Sequence, residues 1–66
     1  MSTFLRGARA IATELQRLGL IDKDDPDPTG KVYYYARTGK ITTGKFGKEI
    51  IATPDKLQRD LIKLVS

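Results

Sequence analysis

Between Gly7 and Leu18 the apolar residues Ala8, Ile11, Leu15 and Leu18 recur at i, i+3, i+7 and i+10, one stripe of a helix. Arg6, Arg9, Thr13, Gln16 and Arg17 fall off that stripe, towards solvent. Gly19 is a natural stop, because only glycine takes a left-handed conformation cheaply, and Leu20 and Ile21 are expected to fold back on the helix. Ahead of it, Met1 to Leu5 reads as a short strand or a frayed start, with Phe4 and Leu5 tucked onto the core. Asp22 to Pro28 is a polar loop that ends as a helix start, Asp27 capping free N–H groups and Pro28 suiting the first helical position. Ile41 to Phe46 and Glu49 to Ala52 read as two short strands around a turn near Gly47-Lys48. Thr53-Pro54-Asp55 then opens a last amphipathic helix carrying Leu57, Leu61 and Leu64, with Ile62 and Val65 beside them.

Lys31 to Thr38 is ambiguous from its residues alone. Valine and three consecutive tyrosines favour a strand by propensity, and Gly30 does not help a helix. As a helix, however, Val32, Tyr35 and Ala36 form an i, i+3, i+4 inner face, Tyr33, Tyr34 and Arg37 point outward, and Gly39 ends the helix as Gly19 ended the first. Propensity leaves the two readings near even.

Composition narrows the chemistry. Sixty-six residues make one domain, and a core of this size supplies net stability of only ~3–5 kcal/mol. With no Cys and no His, disulfides, thiolate nucleophiles, imidazole bases and zinc sites are excluded. No apolar run approaches the ~20 residues of a membrane span, and no signal-type segment opens the chain, so a soluble, cytoplasmic protein is expected. The net charge is +4, and its distribution is uneven. The acids concentrate in Asp22 to Pro28, which lacks the EF-hand spacing and reads as caps and solvated loop, so no metal is expected. From Lys31 to Lys48 there is no acid at all, while Lys31, Arg37, Lys40, Lys45 and Lys48 alternate with Tyr33, Tyr34, Tyr35 and Phe46. Cations of this kind neutralise phosphates and release counterions, which favours a nucleic-acid partner.

Two other chemistries are set aside. Gly39 to Lys45 fits the G-x-x-x-x-G-K part of a P-loop, but Phe46 follows where a magnesium-binding Ser or Thr is required. Glu14, Asp55 and Asp60 read as solvent-facing with no nucleophile beside them, so no enzyme and no cofactor are expected.

The run Val32-Tyr33-Tyr34-Tyr35-Ala36-Arg37-Thr38-Gly39-Lys40-Ile41 resembles the recognition helix and exit turn of small winged-helix proteins of the excisionase and MerR type. Lys45-Phe46-Gly47-Lys48 resembles their wing, and Thr53-Pro54-Asp55-Lys56-Leu57 the start of their closing helix. The chain departs from the pattern at Lys31, where Ser or Thr is common, and at Thr42, where Pro is usual. The connection from Gly19 to Asp27 is also longer and more acidic. The resemblance implies a helix for Lys31 to Thr38 and a mainly helical α+β fold, a small winged helix-turn-helix: helix, loop, recognition helix, β-hairpin wing and C-terminal helix.

The resemblance further implies a non-catalytic excisionase, or recombination directionality factor, of a phage or integrative element. Such a protein binds and bends double-stranded DNA beside an attachment site, side by side with further copies, for a partner tyrosine or serine integrase. Arg37 is then the expected base contact, bridging guanine O6 and N7. Tyr33 and Tyr34 are expected at phosphates or thymine methyls, Lys31 at a phosphate near the helix start, Lys45 and Lys48 on the wing, and Lys40 at the helix exit. Tyr35 is expected in the core. Two alternatives stand beside this: a small AlpA-like transcriptional regulator with the same fold, and a protein-interaction module using the C-terminal helix.

Overall fold

The computed structural model describes residues 4–65. The elements are β1 (Leu5–Arg6), α1 (Ala8–Leu18), α2 (Pro28–Arg37), β2 (Gly44–Phe46), β3 (Glu49–Ala52) and α3 (Pro54–Val65). The fold is therefore α+β and mainly helical. Its core gathers Ile11, Ala12 and Leu15 of α1, Val32 of α2, Ile50 and Ala52 of β3, Leu57 of α3, and two loop residues, Ile21 and Ile41. Among the described residues no helix is long and apolar enough to cross a membrane.

α1 follows its apolar stripe: Ile11 and Leu15 are fully buried, Ala8 and Leu18 half-buried, and Ala12 closes the face. Its end has a close counterpart at the end of α2. Gly19 (φ 91°) donates its N–H to Gln16 O, and Leu20 N–H bonds Leu15 O at 2.9 Å. Gly39 (φ 79°) donates to Ala36 O, and Lys40 N–H bonds Tyr35 O, again at 2.9 Å. The next residue in each case, Ile21 or Ile41, drops into the core. Both segments read Arg-x-Gly-x-Ile, Arg17 to Ile21 and Arg37 to Ile41, and a side chain at either glycine would strain the left-handed turn.

The helix reading of Lys31 to Thr38 is the one observed. Asp27 caps α2 by accepting the Gly30 N–H at 3.1 Å, and Pro28 occupies the first turn. The cap also accounts for Gly30, since a Cβ there would run into the Asp27 carboxylate. Val32 is fully buried, and Tyr35 and Ala36 pack partly buried against the core.

The hairpin is shorter than the sequence implies. Its first strand begins at Gly44, not Ile41, because the turn at Gly39 commits Ile41 to the core and its N–H to Tyr35 O. Phe46 pairs with Glu49, leaving Gly47-Lys48 as a two-residue turn. Gly47 has φ 65°, and among the described residues no non-glycine has a positive φ, which fits a II′ turn with glycine at its first central position. β3 is the central strand, with β2 on one side and β1 on the other, both antiparallel. Leu5 lies opposite Ala52 and packs half-buried on the core, whereas Phe4 is exposed, contrary to the expectation that both would tuck in. The short strand or frayed start expected from Met1 onward lies, for Met1 to Thr3, outside the described residues.

α3 begins as read, with Thr53 Oγ1 accepting the Lys56 N–H at 3.4 Å and Leu57 fully buried. Its apolar stripe then runs off the core: Leu61 is half-buried, and Ile62, Leu64 and Val65 are exposed. Asp60, expected on a solvent face, instead reaches the loop before β2. It accepts the Thr42 N–H at 2.6 Å and the Thr42 hydroxyl at 3.3 Å. Asp60→Ala is expected to cost about 1 kcal/mol in urea denaturation by leaving that N–H without its charged acceptor. Asp60→Asn, which keeps an acceptor oxygen, should lose less.

Candidate nucleic-acid interface

α2 presents its polar face through helical spacing alone. Val32 and Tyr35 turn inward, so Tyr33 and Tyr34 stand out at 57% and 50% exposure, with Arg37 exposed one turn beyond Tyr33. Tyr34 leans on Tyr35, the ring centroids 5.7 Å apart and tilted by 56°. Thr38 secures the end of the helix, its hydroxyl donating to Tyr34 O at 2.9 Å.

The hairpin runs beside this face. Lys45 lies opposite the buried Ile50 and so shares the core-facing side of the sheet at its free edge. The result is an open groove between α2 and β2, lined by Tyr33, Ala36 and Arg37 from the helix and by Lys45 and Ile50 from the hairpin. Tyr33, Arg37 and Lys45 are thus brought together. Lys48 sits in the hairpin turn and Lys40 at the exit of α2, both exposed, and neither lines the groove.

Lys31 is placed differently from expectation. Its ammonium lies 2.6 Å from Asp25 Oδ2, so the acidic loop already holds it. The hydrogen bond from Lys31, joined by the Asp27 N–H, lowers the Asp25 carboxyl below its ordinary range. The same bond raises Lys31. Asp25's contribution is therefore present above its unfolded pKa and lost as pH falls through the lowered one. That of Lys31 is present below its unfolded pKa and lost as pH rises through the raised one. Between those limits, neutral pH included, both groups are charged and Lys31 is engaged. Of the loop's other acids, Asp27 caps α2 through the Gly30 N–H.

No carboxylate among the described residues pairs with Arg37, Lys40, Lys45 or Lys48. Glu49 is the sole acid from Lys31 to Thr53, and it is drawn across the sheet to Arg6, Nε to Oε2 3.0 Å. The register explains the reach: Arg6 lies opposite Ile51, and Glu49 is its diagonal neighbour on the outer sheet face. Residue type assigned Arg6 to solvent and Phe46 to the wing without a contact of its own. The pairing of β1 with β3, which has no local signature, is what makes Arg6 relevant. Phe46 was visible as the aromatic beside the Gly47 turn.

Compared with models of protein families, with curated proteins and with solved structures, the chain has no match.

Proposed function

We propose that this chain is a non-catalytic, sequence-reading binder of double-stranded DNA, a winged helix-turn-helix in which α2 enters the major groove and the β2–β3 hairpin is the wing. The observation that supports it is the convergence of Tyr33 and Arg37 with Lys45 on one groove, beside cations that no carboxylate neutralises. A bidentate guanidinium on a rigid helix reads guanine, while lysines on a neighbouring hairpin hold phosphates. Following the resemblance of Val32 to Ile41, the finer proposal is an excisionase. It would bind and bend DNA beside an attachment site, several copies side by side, to favour excision by a tyrosine or serine integrase in the bacterial cytoplasm. An AlpA-like regulator shares these requirements, and an integrase gene next door distinguishes the first.

The test is fluorescence anisotropy of two labelled duplexes at two salt levels, one from the DNA around the native gene, the other its scrambled copy. Tighter, stepwise binding to the native duplex is expected, with a log–log salt slope near −0.9 per neutralised phosphate. Lys48→Ala should weaken both duplexes alike and reduce that slope by about one unit. Absence of binding to either duplex at low salt would remove the proposal.

The exposed run of Ile62, Leu64 and Val65 on α3 favours a second reading, a protein-interaction module. Salt separates the two, because a packed apolar contact does not weaken steeply as salt rises whereas phosphate contacts do.

A further inference from the structure

Phe46 is 66% exposed, although it lies within a hydrogen-bonded strand. Its register opposite Glu49 puts it on the outer sheet face, next to the Gly47-Lys48 turn and so at the far end of the hairpin. The apolar groove on that face, lined by Phe4, Thr42, Ile51, Thr53 and Lys56 among others, does not include it. Among the described residues the ring has no aromatic neighbour. Unpaired ammonium groups flank it in sequence at Lys45 and Lys48, and the one nearby acid, Glu49, is held by Arg6. An exposed apolar ring next to a hairpin turn that carries an unpaired lysine has the layout of a side chain that enters a nucleic-acid base stack.

We infer that Phe46 is a wedge that inserts from the minor groove between the bases of a flexible pyrimidine–purine step, while Lys48 in the adjoining turn holds a neighbouring phosphate. This rests on the DNA-binding reading above. Partial insertion unstacks one step and kinks the duplex towards the major groove, which brings more of its backbone against a short, basic hairpin. TA and CA/TG steps open most easily, so the wedge adds a preference at base pairs that Arg37 does not touch.

The experiment uses the full chain and a duplex of about 25 base pairs with a central TA step, carrying a donor and an acceptor dye at its ends. Wild type is expected to raise energy transfer as it saturates the duplex, reporting a bend. Phe46→Ala, an exposed substitution that keeps the far-UV circular dichroism of wild type, is expected to bind roughly tenfold more weakly and to leave transfer near that of free DNA. Phe46→Leu, which retains an apolar wedge, should restore most of the bend. The chain has no Trp, so Phe46→Trp supplies a single indole whose emission is expected to be quenched by stacking when the complex is saturated. Equal bending by wild type and Phe46→Ala, or indole emission unchanged on saturated DNA, overturns the wedge while leaving the DNA reading intact. Failure of wild type to bind the duplex at low salt overturns both.

Discussion

Leu15→Ala is expected to leave most of the chain unfolded at 25 °C. Leu15 is fully buried at the centre of the α1 stripe. Its carbonyl also accepts the N–H of both Leu20 and Ile21, so the residue that fills the core fastens the turn leading out of α1. Truncating a buried leucine costs ~2–5 kcal/mol through lost transfer energy and the cavity left behind. A core of this size supplies only ~3–5 kcal/mol in total. The two figures overlap, so a substitution that a larger domain would absorb is close to the whole stability here. Far-UV circular dichroism against urea checks it: wild type should show a cooperative transition, and the variant a signal already near the unfolded baseline without denaturant. A midpoint unchanged from wild type would mean that α1 does not pack as described.

Arg37→Ala is expected to fold normally and to lose ~1–3 kcal/mol of affinity for a selected duplex, with preference relaxed at one base position. Arg37 is exposed in the last turn of α2 and pairs with no carboxylate among the described residues, so removing it leaves no buried group unsatisfied. The loss should therefore appear in binding and not in stability. Arg37→Lys discriminates further: an ammonium retains the charge but cannot bridge O6 and N7, so affinity for scrambled DNA should survive while selectivity falls. Anisotropy on selected and single-base-altered duplexes reads both effects. Equal affinity of wild type and Arg37→Ala for the selected site would remove α2 as the reading helix.

Local signals made much of this legible in advance. The spacing of Ile11 and Leu15, the stop at Gly19, the cap at Asp27 and the inner face of Val32, Tyr35 and Ala36 are each written within a few residues and appear where expected. What escaped was set by partners distant in the chain. Ile41 looked like strand because apolar residues suit strands; it is core because Gly39 turns it inward, a signal that its likeness to Gly19 and Ile21 already carried. Asp60 looked solvated because its partner, Thr42, is eighteen positions away. Lys31 looked free for phosphate because nothing local reveals that the loop before α2 returns Asp25 to it. In α3 the periodicity was right but its burial was not, since period says which residues share a face and not how far the core extends beneath it.

The clasp of β1 on β3 bears on the order in which the molecule can be assembled during synthesis. α1, α2 and their glycine turns are closed by contacts a few residues apart, and all of them leave the ribosome before β3 does. The sheet joins Leu5 to Ala52, and Gly7 N–H to Ile50 O at 2.8 Å, so it cannot be completed until nearly the whole described chain has emerged. Until then Arg6 lacks Glu49, the hairpin lacks its support, and the angle between α2 and the basic tip is undefined. The composite surface of α2 and the hairpin therefore arises only with this long-range closure, in which the same core that holds α1 and α2 is completed by Ile50 and Ala52.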